Sequence, residues 1–180
     1  LIKNISIVTS VCSIIPDPVE SLPDIDINSI MNEYNAVSGI VAGTSSTYVA
    51  GDTTIDLTHP TGFNEGDLIL VVQSQGPLTY GKFELNTITN ISGSLATLKT
   101  PLVNTYTYTN ESTAERYQVV QIPRYQNITI SSGAELSTHA YDPVTGGGIL
   151  VLHAENDIQI DEGLVTMHGK GYRGGYNNRP

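Results

Sequence analysis

Two segments late in the chain, NITISSGAELSTHA (127–140) and NDIQIDEGLVTMHG (156–169), share one pattern: Ile-x-Ile-x-x-Gly, an apolar residue, then His. Ile128, Ile130, Gly133 and His139 answer to Ile158, Ile160, Gly163 and His168, with one residue of slippage. An offset of roughly 30 residues is the period at which stacked repeats show themselves in a sequence. Each unit is a short strand pair around a glycine corner, and it buries its apolar side only against a neighbouring unit. The intervening GGGILVLHA supplies a further strand. Two copies fit the opening rungs of a parallel β-helix, or two equivalent strand pairs of a sandwich. In either case both isoleucines of each pair are expected to face one core.

The rest of the chain is also written in period two. TYVAGDTTIDLTHP and DLILVVQSQG read as strands separated by the turn TGFNEG. KFELNTITNI and LATLKTPL flank SGS, a hairpin signal. NTYTYTNESTAE reads as a polar loop or edge strand, and RYQVVQIP as a strand ended by Pro123. Ten tyrosines, two phenylalanines and no tryptophan fit a β protein with hydroxyl-rich faces. The sequence therefore predicts an all-β chain, a sandwich- or barrel-like body running into short β-helix-like strand repeats, with an extended N-terminal strand. Its parts are the strand over 1–15, a linker over 16–40, an antiparallel β body over 41–126, and a repeat segment with a glycine-rich end over 127–180.

In the first part Ile5, Ile7, Val11 and Ile15 share one face of a strand whose other face is mainly polar. The segment has no initiator Met and reads as the start of a processed or truncated chain. Pro16, Pro18 and Pro23, among acidic residues, make the following stretch an extended tether. INSIMNEYNAV within it is the one candidate for a helical turn, with Asn28 or Ser29 as its cap. A strand held on such a tether either docks on its own sheet or adds to a neighbour's, and Ile5, Ile7, Val11 and Ile15 are the candidate assembly residues.

The net charge of −10 argues against nucleic acid and anionic membranes as partners. No apolar run has transmembrane length. Cys12 is the only cysteine, so no disulfide forms within the chain. The ending GKGYRGGYNNRP matches Gly-x-Gly-x-x-Gly by spacing, but it cannot open a helix well and no acidic residue follows. It is expected to be a turn that binds no nucleotide.

Several motifs in order resemble an N-terminal β module of large secreted or surface proteins of bacteria: FNEGDLILVVQSQG, GKFELNTITNISG, TPLVNTY, YQVVQIPRYQNITISSGAEL, GGGILVLHA and GKGYRGG. The resemblance covers about residues 63–175. It implies an extracellular or cell-surface setting and a structural or adhesive role, not a reaction.

No residue set singles out a catalytic, cofactor or metal site. His139 and His168 would lie about one strand spacing apart, roughly 4.8 Å, if the repeats stack in register, but they lack a third ligand; His59 and His153 stand elsewhere. The acidic groups Asp24/Asp26, Asp52/Asp56 and Asp157/Asp161/Glu162 match no calcium loop. Asn4, Asn90, Asn110 and Asn127 each open an Asn-x-Ser/Thr sequon. The expected function is a non-enzymatic, cofactor-free subunit that joins other copies of itself into a fibre or surface layer by strand addition. The alternative is a carbohydrate-binding or adhesive module, for which Tyr106 and Tyr108, on one strand face, are the candidate glycan contacts.

Overall fold

A computed structural model describes residues 22–31, 37–38, 46–57, 59–76, 81–109, 115–142 and 145–171. Its regular elements are all β. The first strands among the described residues are β1 (Ile25–Ile27) and β2 (Ile30–Met31). The next eight strands are β3 (Val37–Ser38), β4 (Ser46–Tyr48), β5 (Thr54–Asp56), β6 (Leu68–Gln75), β7 (Phe83–Ser92), β8 (Leu95–Leu98), β9 (Tyr106–Tyr108) and β10 (Arg116–Ile122). Six short strands follow: β11 (Arg124–Tyr125), β12 (Ile128–Ile130), β13 (Glu135–Leu136), β14 (His153–Ala154), β15 (Ile158–Ile160) and β16 (Leu164–Val165).

Residues 37–122 form an antiparallel body. Its main sheet has the order β3-β10-β6-β7-β8-β5, and β4 pairs with β9 beside it. The expected hairpin is β7–β8, in which Ser92 faces Leu95 across a two-residue turn. Gly93 takes φ +63° there, a conformation that glycine adopts without a Cβ penalty. Ile69 and Val71 of β6, Ile88 of β7 and Tyr117 and Val119 of β10 meet in one buried cluster. Period two accounts for this, since alternate residues of a strand point to one face.

Two buried amide side chains bind backbone within the body, and a third ties it to the stack. Gln73, Asn86 and Gln118 are all buried, and each acts as a stand-in for a missing strand. Gln73 donates to the Thr107 carbonyl at 2.9 Å and accepts from the Thr107 amide at 3.0 Å. Asn86 does the same with Thr100, at 2.9 and 3.3 Å. Gln118 donates to the Gly147 carbonyl at 3.2 Å and accepts from its amide at 2.8 Å. Backbone groups that the sheet leaves over must find partners when buried, and these amides supply them.

The remaining strands form a parallel stack of three rungs. β1, β12 and β15 lie side by side in that order, and β2, β13 and β16 form a second such sheet with β13 in the middle. Ile25 and Ile27 face Ile128 and Ile130, which in turn face Ile158 and Ile160. Around the corner Met31, Leu136 and Val165 are in register. A third side has two strands, β11 and β14. The antiparallel body is thus inserted between the first and second rungs.

This arrangement corrects the reading of residues 16–40 as a linker with a helical turn. Residues 25–31 are the first rung, and no helix occurs among the described residues. The reason is tertiary. Ile27 packs with Ile128, Ile130 and Leu136, which lie a hundred residues away in sequence. Prolines and aspartates around the stretch masked its apolar alternation.

Candidate functional site

The three rungs are alike in sequence and register but not in environment. Ile128 and Ile130, in the middle rung, are 0 % exposed, and Ile27, in the first, is 1 % exposed. Ile158 and Ile160, in the third, are 51 % and 52 % exposed, and Leu164 is 53 % exposed. The register expected for the two Ile-x-Ile-x-x-Gly units is present, but the expectation that both pairs are buried in one core is corrected for the second. Among the described residues no further rung lies over β15 or β16, and nothing else covers Ile158 and Ile160 as Ile27 is covered at the other end.

Local geometry makes this end flat. Gly133 turns the corner of the second rung at φ +77°, with open space around it. Gly163, at the matching corner, serves close approach instead. A Cβ there would stand 2.5 Å from Ile130 Cγ2 and 2.6 Å from the Ile130 carbonyl oxygen. The third rung therefore settles directly on the second. Side chains add ties between rungs. Asn127 donates to the Asp24 carboxylate at 2.7 Å, Ser131 to Asp26 at 2.7 Å and Ser132 to Glu162 at 3.2 Å. Arg124 makes a 2.8 Å ion pair with Glu155, and the guanidinium holds that carboxyl below the usual carboxylate range.

The open end thus presents Ile158, Ile160 and Leu164 beside two strands paired on one side only. Fully burying one such side chain contributes about 1.5–3 kcal/mol, so about half of that is still to be gained at each. Unpaired strand edges also carry free N–H and C=O groups that accept another strand. Asp157, Asp161 and Glu162 surround the patch with exposed carboxylates.

The other candidate residues fall elsewhere. Tyr106 and Tyr108 are buried in the body, which corrects their assignment as glycan contacts. Tyr106 packs against Tyr117 at 6.5 Å between ring centres, and Arg116 lies 5.3 Å from the Tyr108 ring centre. Burial pushes the Tyr106 and Tyr117 phenols well above their ordinary range. The tyrosine face of β9 is large and amphipathic, so period two placed both rings on one face but could not say whether that face would be covered by the body or left open to a ligand. Ile5, Ile7, Val11 and Ile15 lie outside the described residues, as do Asn4 and Asn110. Asn90 is exposed and donates to Glu65 at 2.9 Å, while Asn127 is half-buried in its bond to Asp24.

His139 and His59 line a shallow depression with Thr145 and Gly146, and His168 is exposed. Among the described residues no group of three His, Cys, Asp or Glu side chains could hold a metal ion. No helix among them is long and apolar enough to cross a membrane. Of the glycine-rich ending, residues 168–170 form a turn, and the Lys170 carbonyl accepts from the Tyr141 amide at 2.8 Å.

The first rung was the feature missed. Its signal is plain once the register is known: Asp24-Ile-Asp-Ile27 matches Asn127-Ile-Thr-Ile130 and Asp157-Ile-Gln-Ile160.

No protein-family model and no curated protein matches the chain. Two solved tailspikes are similar to it. One is Gp54 of Acinetobacter baumannii bacteriophage AP22, in complex with A. baumannii capsular saccharide. It has 10 % identity and a TM-score of 0.36, over 76 % of this chain and 24 % of that one. The other is gp49 from Pseudomonas phage LKA1, with 16 % identity and a TM-score of 0.31, over 59 % of this chain and 20 % of that one. The chain spans about a quarter or less of the length of these tailspikes.

Proposed function

We propose that the protein is a non-enzymatic structural subunit, placed outside the cell or on its surface, whose copies join through the open end of the parallel stack into a fibre or layer. One observation carries this reading: Ile158 and Ile160 stand half-exposed, in register with the buried Ile128 and Ile130, along a strand edge that pairs on one side only among the described residues. A stack of this kind adds rungs without altering the ones it has, because each rung contacts only its neighbours. A contact between one end and the opposite end of the next copy generates a filament when its rotation does not close on itself. The saccharide in the AP22 tailspike belongs to that protein. Here the two tyrosines that a glycan-binding reading named are core residues.

Electron microscopy of the purified protein tests the reading. Filaments or sheets, lost on Ile160→Glu, support it. Dispersed single particles at every concentration, with or without the substitution, would remove it.

A further inference from the structure

The Asn/Asp-Ile-x-Ile signature of the rungs occurs a fourth time, at Asn4-Ile5-Ser6-Ile7. The likeness extends around the corner. NISIVTSV (4–11) runs parallel to DIDINSIM (24–31), and Val11 answers to Met31, the inward residue of β2. Within this chain, then, one stretch outside the described rungs has the sequence of a rung, and one end of the stack lacks a cover.

We propose that residues 4–12 of a second copy add in parallel to the free edges of β15 and β16, as a fourth rung over the open end. The proposal rests on the reading of the protein as a self-joining subunit and names what fills the joint. Ile5 lies beside Ile158 and Ile7 beside Ile160, while Ser10 and Val11 reach Leu164 and Val165.

Three observations select this occupant and this end. The first is exposure. Ile27 at the β1 end is already covered, whereas Ile158 and Ile160 at the β15 end are not. The second is charge. Stacking the β1 rung of another copy on β15 would set Asp24 against Asp157, and like charges directly opposite are destabilising. Asn4 in that place repeats the Asn127–Asp24 pairing already present between the first two rungs. Residues 1–15 hold one lysine and no carboxylate, which suits an end ringed by Asp157, Asp161 and Glu162. The third is direction. β1 and β15 are opposite edges of their sheet, so the segment leading into β1 departs from the end of the stack farthest from β15. A rung that leaves one end and fits the other links copies head to tail. Residues 12–23 span up to about 40 Å when extended, enough to bridge such a joint.

Disulfide trapping tests this on the full chain. In a Cys12→Ser background, Ile5→Cys is combined with Ile158→Cys and the protein is oxidised. Adjacent strands put paired Cα atoms within disulfide range. Covalent dimers and longer species on a non-reducing gel, absent when either cysteine is omitted, are the expected result. A second pair, Val11→Cys with Val165→Cys in the same background, should give the same ladder and guards against a folding defect in the first. A disulfide closed within one chain overturns the proposal, because the segment would then cap its own stack. Absence of any disulfide in both pairs also overturns it. Sedimentation of the unmodified protein tells the two failures apart. If it associates but does not cross-link, the occupant is wrong and the self-joining reading stands. If it stays monomeric, both fall.

Discussion

β12 and β15 have the same motif and the same register, and they live in different surroundings. Ile130 is sealed between two rungs, and Ile160 has a rung on one side only. The motif therefore dictates how rungs align, while burial is set by what covers each rung: Ile27, in the other end rung, is covered. The antiparallel body shows the contrast on a larger scale. Its strands vary in length and character, yet it closes, because Gln73 and Asn86 bind the backbone segments that its sheet leaves over. Among the described residues the stack has no such closure at β15. A region built from repeats ends in a surface that resembles its own interior.

Ile130→Asp and Ile160→Asp break or confirm this contrast most sharply. The first buries a carboxylate without a partner and should cost about 4 kcal/mol or more, or abolish folding. The second places the charge at a half-open end and should change the monomer's stability by less than about 1 kcal/mol. Urea denaturation at low protein concentration compares them. Equal losses would mean that the third rung is covered in solution within a single chain.

Gln118→Ala should have the next largest effect. It leaves the buried Gly147 amide and carbonyl without partners, at about 2–3 kcal/mol. Because residues 146–148 lie between the second and third rungs, hydrogen exchange at the β15 amides should rise more than at β6. Uniform acceleration would show that the stack and the body open as one unit.

Gly163→Ala sharpens the comparison of the two corners. The added methyl meets the Ile130 carbonyl, which cannot move alone, so a loss of about 1–3 kcal/mol is expected. Gly171→Ala, in open space, should cost much less. A thermal melt of each variant decides, and indistinguishable midpoints would argue that the third rung does not sit on the second.

The smallest effect belongs to Glu155. Its folded-state carboxyl is held low by Arg124, so the tie contributes above the usual carboxylate range and is lost as pH falls through the lowered value. The pair is partly exposed, and screening limits it to about 0.5 kcal/mol or less. Glu155→Gln should thus track the parent at low pH and fall slightly below it near neutrality. The reverse order would contradict the sign of the shift.

Much of this was legible in the sequence, and the limits have physical causes. Period two and Gly93 are local properties, and they located β6, β10 and the β7–β8 hairpin. By contrast TYVAGDTTIDLTHP, read as one strand, is β4 and β5 around a turn at Ala50–Gly51, and GGGILVLHA keeps only β14. The alignment of Ile128 and Ile130 with Ile158 and Ile160 follows from repetition alone. The first rung was read as a linker because prolines and aspartates are local turn signals, while its strand state depends on β12, far along the chain. Tyr106 and Tyr108 share one face of a strand, and a tyrosine face suits a core or a ligand equally well, so nothing local assigned them to the core. The open end could not be read at all, since exposure depends on the absence of a neighbour.

Sedimentation velocity over a concentration series, on the parent and on Ile158→Glu/Ile160→Glu, tests most directly whether the open end joins copies. The parent should shift to faster-sedimenting species as concentration rises. The double variant, with unchanged far-UV circular dichroism, should remain a monomer throughout. A folded double variant that associates as the parent does would contradict the assignment of β15 and β16 as the joining surface, and so would a parent that is monomeric at every concentration.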